Sequence, residues 1–249
     1  MELEATRYEV DGKSFTGYLA DGSGGLRAPG ILVAHEGPGL TAHTKERTRM
    51  LAELGYVAFA MDLYGETNPP LERAKALVRG LRADLATLRR RANAALDLLE
   101  AHPSVDARRT AAVGFCFGGT AVLELARSGA EVACVVGFHV GLDTTAPLDA
   151  SAIKGKVLVC LGNEDPVVTA QQRDAFVAEM AGAGVDWQMI LYGGVGHSFT
   201  NRDIDAWGFP GFAYDAVADK RSWLAMRNLF DEVIGPVAGS AAQAAVSSK

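Results

Sequence analysis

The sequence predicts an α/β fold in which a single, mostly parallel sheet is covered by helices on both faces. Short apolar runs alternate with amphipathic segments along most of the chain, which is the pattern of βαβ units. The runs are continuous, so we expect strands that are buried on both sides. The 249 residues, 49% hydrophobic, can form a core without disulfides or a structural metal. We expect one domain over residues 1–236 and a frayed tail, rich in Ala, Gly and Ser, over 237–249.

The individual elements follow from local patterns in chain order. Residues 1–30 predict an N-terminal β-hairpin, with strands over 4–10 and 14–20 around a turn at Asp11-Gly12. Apolar runs predict core strands over 31–34, 56–61, 110–114, 132–138, 156–160 and 187–192. Apolar positions three and four residues apart predict helices over 43–54, 71–100, 118–127, 169–183 and 214–233. Gly80 is expected to divide the longest helical stretch in two.

Charge, hydropathy and cysteine content exclude several classes of function. With 24 basic and 30 acidic residues the net charge is −6, which gives no broad attraction to nucleic acid or to anionic membranes. The N-terminus lacks a basic segment followed by an apolar run, and no long apolar stretch occurs, so we expect a cytoplasmic protein. An odd set of three cysteines is no disulfide framework and indicates a reducing compartment. A small-molecule substrate is therefore favoured.

The sharpest motif is Gly114-Phe115-Cys116-Phe117-Gly118-Gly119, between a predicted strand and a predicted helix. It has the G-x-nucleophile-x-G form of a nucleophile elbow, with cysteine in place of the usual serine. The turn places Cys116 at a helix N-terminus, where the helix dipole favours a thiolate and the N–H of Phe117 is free to bind an oxyanion. The alternative is a buried, inert cysteine in a glycine-rich turn.

An acid and then a histidine are expected after such an elbow, each beyond a later strand. Asp165 follows the strand over 156–160 and lies 49 residues past the cysteine, and His197 follows the strand over 187–192. The carboxyl ends of parallel strands share one sheet edge, so the three side chains can meet there. Glu164 is the rival acid, and either carboxylate could instead cap the next helix.

The other histidines are assigned by position. His43 and His102 stand at predicted helix edges, and we expect them to be exposed to solvent. His139 ends the strand over 132–138 and is either a pocket wall or a structural loop histidine. His35 opens the loop after the first core strand. Enzymes with such a nucleophile elbow take their second oxyanion donor from this loop, and Gly37 is the candidate for that donor.

These motifs together resemble the dienelactone hydrolase, or carboxymethylenebutenolidase, family. The likeness covers about residues 31–230 and rests on His35-Glu36-Gly37, Asp62-Leu63-Tyr64-Gly65, the elbow and Gly196-His197-Ser198-Phe199. The resemblance implies an α/β-hydrolase fold and a triad that opens an enol-lactone ring.

In residue terms, the resemblance gives the triad roles to Cys116, Asp165 and His197. It also implies that Glu36 contacts the resting cysteine and helps to generate the thiolate. The alternative for Glu36 is a loop carboxylate at a helix N-terminus.

The resemblance also implies arginines that hold a substrate carboxylate. In the family, one of these arginines stands four residues past the catalytic histidine. Here that position is Asn201, with Arg202 beside it, and the second arginine is Arg79 or Arg82. Further candidates for substrate contact are His139, Phe199 and Trp207. The stretch over 202–214 either walls an apolar pocket or packs on the last helix.

The sequence therefore predicts a cysteine-dependent hydrolase of lactones or small esters that acts through a thioester. No metal or cofactor is expected, because backbone N–H groups polarise the carbonyl. The alternatives are a binding or redox-sensing protein on the same fold, and a thioesterase or peptidase with the same triad. The natural substrate and the oligomeric state stay open.

Overall fold

A computed structural model describes residues 1–67 and 69–235, so the tail predicted over 237–249 lies outside the described residues. Eight strands form one sheet. In chain order the strands are β1 (Glu4–Val10), β2 (Lys13–Asp21), β3 (Ala28–Ala34), β4 (Val57–Met61), β5 (Val105–Phe115), β6 (Cys134–Phe138), β7 (Lys156–Gly162) and β8 (Trp187–Tyr192).

The strand order β1-β2-β4-β3-β5-β6-β7-β8 explains where a site can form. The N-terminal hairpin β1–β2 and the β2–β4 pair are antiparallel, and every other pair is parallel. The chain leaves β3 for β4 on one side and returns to β5 on the other. Loops at the carboxyl ends of β3 and β5 therefore diverge and leave a crevice between them, which is where ligands bind in such sheets.

Helices cover both faces of the sheet, as the continuous apolar runs predicted. They are α1 (Ala42–Glu53), α2 (Leu71–Ala83), α3 (Leu85–Glu100), α4 (Phe117–Arg127), α5 (Ala170–Gly182) and α6 (Ala216–Val233). On β3, Ile31 and Val33 pack towards α1 and α6, whereas Leu32 and Ala34 face the other helices. Successive side chains of a strand point to opposite faces, so this strand is apolar throughout. No described helix combines the length and apolar content needed to cross a bilayer.

Two boundaries differ most from the sequence prediction. The break in the long helical stretch falls at Asp84 and not at Gly80, which lies inside α2. Asp84 leaves the helical conformation, and its carboxylate accepts the N–H of Thr87 at 3.0 Å, so it ends α2 and caps α3. Strand β5 starts at Val105, five residues earlier than predicted, because its polar first half pairs with the start of β3 across a bulge.

Candidate active site

Cys116 stands on a sharp turn between β5 and α4. Its φ is +52°, a conformation that non-glycine residues rarely adopt. The flanking glycines are required sterically, because a Cβ on Gly114 would collide with the carbonyl of Gly118, and one on Gly118 with the carbonyl of Ala34. The turn presents a half-buried thiol at the N-terminus of α4. The elbow predicted from the glycine spacing is thus present in the structure.

Asp165 and His197 meet at the same edge of the sheet. Asp165 Oδ2 lies 2.7 Å from His197 Nδ1, and both side chains are almost completely buried. Asp165 Oδ1 also accepts the N–H of Val167 at 2.7 Å, which fixes the carboxylate. The His197 backbone is held on both sides by hydrogen bonds to Gly211 and Ala213. An acid therefore orients this imidazole through Nδ1, and Nε2 is left for chemistry.

The electrostatics of His197 connect it to the cysteine. Burial by itself lowers the pKa of this imidazolium, but the Cys116 sulfur and the Asp165 carboxylate outweigh burial and raise the pKa to about 10. Nε2 is buried and has no hydrogen-bond partner of normal geometry within the described residues. A protonated His197 and a negatively charged Cys116 sulfur would therefore stabilise each other.

The other two cysteines differ from Cys116. Cys134 on β6 and Cys160 on β7 are free and fully buried. Burial raises the pKa of both thiols, that of Cys160 to about 12. Both are therefore inert core residues, and Cys116 is the half-exposed thiol of the three.

The loop after β3 brings Gly37 to the cavity beside Cys116. Gly37 lines the same cavity as Cys116, and its carbonyl accepts the hydroxyl of Tyr64 at 2.6 Å. His35 Nδ1 lies 2.7 Å from the Glu36 carbonyl, which fixes the next peptide of the loop. The N–H groups of Phe117 and Gly37 have no acceptor among the described residues. They are the two candidates for oxyanion donors.

Glu36 is buried beside the cavity, and its carboxylate binds groups from two other segments. Oε2 accepts the amide of Asn201 at 2.6 Å and lies 3.3 Å from His43 Nδ1, and Oε1 accepts the hydroxyl of Ser198 at 3.4 Å. Burial raises the pKa of Glu36, but His43 and Asn201 outweigh burial and hold it at about 2. No hydrogen bond joins this carboxylate to the Cys116 sulfur in the described chain.

A cavity of about 710 Å³ opens next to Cys116. Most of its wall is apolar and comes from α2 and from the loop between β8 and α6. The main apolar lining residues are Leu71, Val78, Ile204, Trp207, Phe209 and Phe212. The aromatic stretch over 202–214 thus walls the pocket, which answers the question that the sequence left open.

The substrate-contact candidates separate clearly in the structure. Arg79 and Trp207 line the cavity. Arg82 instead pairs with Asp143, and the Arg202 guanidinium stacks 5.7 Å from the Tyr214 ring beside a separate polar cavity. Neither Arg82 nor Arg202 lines the cavity beside Cys116.

Two further candidates lie behind the pocket. Phe199 and His139 are fully buried and pack on each other, with ring centroids 5.2 Å apart. Neither lines the cavity.

The prediction that His43 is solvent-exposed is wrong. The residue is only 8% exposed, because its ring packs edge-on against Phe115 and its two nitrogens face Glu36 and Thr200. The contacts of Asn201, Ser198 and Thr200 with this region were also missed. The sequence signal was present, because all three lie just after His197 in the chain. Nothing in their spacing, however, shows which groups they bind.

Among the described residues, no group of three or more His, Cys, Asp or Glu side chains is arranged to hold a metal ion. The mostly parallel eight-stranded sheet, with a nucleophile-elbow turn after β5, defines the class as an α/β-hydrolase fold. The family model described as "Dienelactone hydrolase family" matches residues 15–234, and the chain belongs to that family. It is accordingly a dienelactone-hydrolase-like hydrolase that acts on ester bonds.

Individual relatives agree with this assignment. A solved structure named m3DLH is 48% identical, covers 93% of this chain and 98% of its own, and superimposes with a TM-score of 0.89. The dienelactone hydrolase-like promiscuous phosphotriesterase P91, from metagenomic libraries, is 41% identical over the same shares, with a TM-score of 0.89. Carboxymethylenebutenolidase 1 of Cupriavidus pinatubonensis is 30% identical over 69% of this chain and 75% of its own.

Proposed function

We propose that the protein is a cysteine-dependent hydrolase of lactones or small esters, with Cys116 as nucleophile, His197 as proton carrier and Asp165 as the orienting acid. One observation carries the proposal. The buried His197 is bound to Asp165 at Nδ1, and its proton is stabilised by the sulfur that the elbow exposes to the cavity. This is the relation of nucleophile, base and orienting acid that acyl transfer needs.

The first half of the reaction uses the thiolate–imidazolium pair. The sulfur attacks the substrate carbonyl carbon, and the carbonyl electron pair moves to oxygen, where the N–H groups of Phe117 and Gly37 stabilise the negative charge. As the tetrahedral species collapses, the C–O bond to the leaving oxygen breaks. His197 donates its proton to that oxygen, which leaves a thioester on Cys116 and a neutral imidazole.

The second half returns the enzyme to its starting state. Neutral His197 takes a proton from water as the water oxygen attacks the thioester carbon. The C–S bond then breaks, the carboxylic acid product leaves, and the thiolate again faces an imidazolium. Asp165 keeps the proton-carrying nitrogen aimed at the sulfur throughout.

Glu36 has a supporting role in this proposal. A carboxylate whose pKa is about 2 is ionised in the working range and is a weak proton acceptor. The cysteine proton therefore passes to His197, and Glu36 contributes a fixed negative charge beside the cavity.

The cavity indicates which acyl groups are accepted. Its apolar walls favour neutral, partly aromatic lactones and esters. Arg79 is the arginine on the wall, so it is the candidate that would hold a substrate carboxylate. Because a close relative is described as a promiscuous phosphotriesterase, a neutral phosphotriester belongs in the substrate panel.

Hydrolysis of p-nitrophenyl acetate, a neutral lactone, dienelactone and a thioester by the purified protein tests the proposal. Cys116→Ala should abolish turnover of every substrate. Cys116→Ser should lose most of it, because a serine hydroxyl ionises far less readily than a thiol. Cys134→Ala, which removes a buried thiol from the same sheet, is the matched control and should stay active.

Each alternative predicts a different result. A binding or redox-sensing protein would release one equivalent of nitrophenol and then stop, or would show no release. A thioesterase would favour the thioester over the oxygen esters. Full activity of Cys116→Ala with any ester would refute the cysteine mechanism.

A further inference from the structure

A chain of buried polar groups runs from the backbone of the nucleophile to Glu36, which lines the cavity. The backbone N–H of Cys116 donates to His139 Nδ1 at 3.1 Å, in addition to the Phe138 carbonyl at 2.9 Å. His139 Nε2 lies 2.8 Å from the Thr200 hydroxyl, and this hydroxyl lies 3.2 Å from His43 Nε2. His43 Nδ1 lies 3.3 Å from Glu36 Oε2 at the end of the chain, as a charge contact without hydrogen-bond geometry among the described residues.

Two groups that can only donate, the Cys116 N–H and the Arg47 guanidinium, determine the direction of the contacts. The Cys116 N–H donates to His139 Nδ1, so the proton of this neutral ring is on Nε2, facing Thr200. Arg47 Nε donates to His43 Nε2 at 3.4 Å, so this nitrogen accepts and His43 carries a proton on Nδ1. The Thr200 hydroxyl then accepts from His139 and donates to His43.

The charges around the chain agree with this assignment. His139 faces the imidazole of His197, with ring centroids 5.2 Å apart, together with Glu36, His43 and Arg47. Burial lowers the pKa of His139 well below its usual value, and the neighbouring His197 lowers it further. A second proton on Nδ1 would also point at the Cys116 N–H, so the ring stays neutral beside an imidazolium.

We propose that His139, Thr200 and His43 are positioning residues, which connect the backbone of the nucleophile to the surroundings of Glu36 through two histidines whose accepting nitrogens are fixed. The catalytic part of this inference rests on the proposed function, whereas the tautomers do not. Cys116 and His139 both have a positive φ, of +52° and +41°, and the hydrogen bond between them joins these two unfavourable conformations. Neither His139 nor Thr200 lines the cavity, so their effect on catalysis is indirect.

Nitrogen-15 NMR of the wild-type imidazoles tests the tautomers directly and needs no activity. At about pH 8 the pyridine-type resonances should belong to Nδ1 of His139 and Nε2 of His43. The His139 signals should stay unchanged down to about pH 5, since this ring does not take up a second proton. A pyridine-type Nε2 in His139, or titration of His139 in this range, would overturn the proposal.

A matched pair of variants at position 200 tests the consequence for catalysis. Thr200→Ser keeps the hydroxyl, and Thr200→Val keeps the shape but removes it. We expect kcat to fall about fivefold to tenfold in Thr200→Val, with KM unchanged and near-wild-type kcat in Thr200→Ser, because one hydrogen bond of the chain is lost. Equal kcat values in the two variants would show that the chain has no role in catalysis.

A second pair addresses His139 itself. His139→Asn keeps an acceptor near the Nδ1 position, and asparagine tolerates a positive φ. His139→Gln places its amide near Nε2 and leaves the Cys116 N–H with the Phe138 carbonyl alone. Higher kcat in His139→Asn supports the proposal, and the reverse order refutes it. If the wild type hydrolyses no substrate, the proposed function fails, while the NMR assignment still decides the tautomers.

Discussion

The buried carboxylate of Glu36 makes a quantitative prediction about stability and pH. Its pKa is held at about 2, against a usual value of 4.5, by His43 and Asn201 despite complete burial. A group whose pKa is lower in the folded state stabilises the protein above its unfolded pKa, and this contribution is lost as the pH falls towards the folded pKa. Glu36→Gln removes the titrating group and keeps the side-chain shape.

The size of the effect follows from the pKa difference. A difference of about 2.5 corresponds to about 3 kcal/mol of unfolding free energy at neutral pH, because each pH unit is worth about 1.4 kcal/mol. Integration of the linkage relation gives a loss of about 2 kcal/mol between pH 7 and pH 3, as the pH approaches the folded pKa. Most of this loss falls below pH 5, where other carboxylates titrate as well.

The measurement is urea unfolding of wild type and Glu36→Gln at several pH values from about 7 to about 3. The gap between their unfolding free energies should change by about 2 kcal/mol over this range, in favour of the variant at low pH. Glu164→Gln, which changes an exposed carboxylate, should keep a constant gap from wild type. If the wild-type and Glu36→Gln curves run parallel, the low pKa of Glu36 is wrong, and Glu36 becomes available as a base.

Three further predictions concern the triad, the pocket wall and the core. Asp165→Asn should lower kcat for p-nitrophenyl acetate about 10³-fold or more, whereas Glu164→Gln should stay near wild type; the opposite result would make Glu164 the acid. Arg79→Leu should lower kcat/KM about tenfold for a carboxylated ester and leave a neutral ester unchanged, and equal effects would exclude Arg79 as an anchor. Arg127→Met should destabilise the fold by about 3 kcal/mol in urea unfolding, because it leaves buried carboxylates without their partner. Fully buried Arg127 binds Glu124 at 2.9 Å and Glu179 at 2.7 Å. An unchanged urea midpoint of unfolding would contradict this prediction.

The strands and the elbow could be predicted because their signals are local. A strand such as β3 is covered on both sides, so its sequence is a continuous apolar run that few other structures allow. The elbow needs glycine at 114 and 118 for the backbone to pass, so its spacing is visible in the sequence. The meeting of Asp165 and His197 near the elbow followed from chain order, because parallel strands end at one edge.

The surroundings of the site were decided by the tertiary structure. Whether Arg79, Arg82 or Arg202 faces the cavity depends on how α2 and the loop before α6 are rotated, and no periodicity in one chain fixes that rotation. The partners of Glu36 lie more than 160 residues away along the chain or on α1. Long-range contacts between loops leave no repeat in the sequence.

His43 illustrates the difference between what the sequence predicts and what the tertiary structure decides. At the start of α1 it looks like any polar residue of a helix edge, and the sequence predicted exposure. The fold buries it because α1 packs on the sheet, where Thr200 lies 3.2 Å from Nε2 and Glu36, in another loop, lies 3.3 Å from Nδ1. The sequence by itself therefore determined the sheet, the elbow and the chain order of Cys116, Asp165 and His197 at one sheet edge, since these depend on short-range sterics and hydrophobicity. The burial and the distant partners that shift the pKa values of Glu36 and His139 came only from packing.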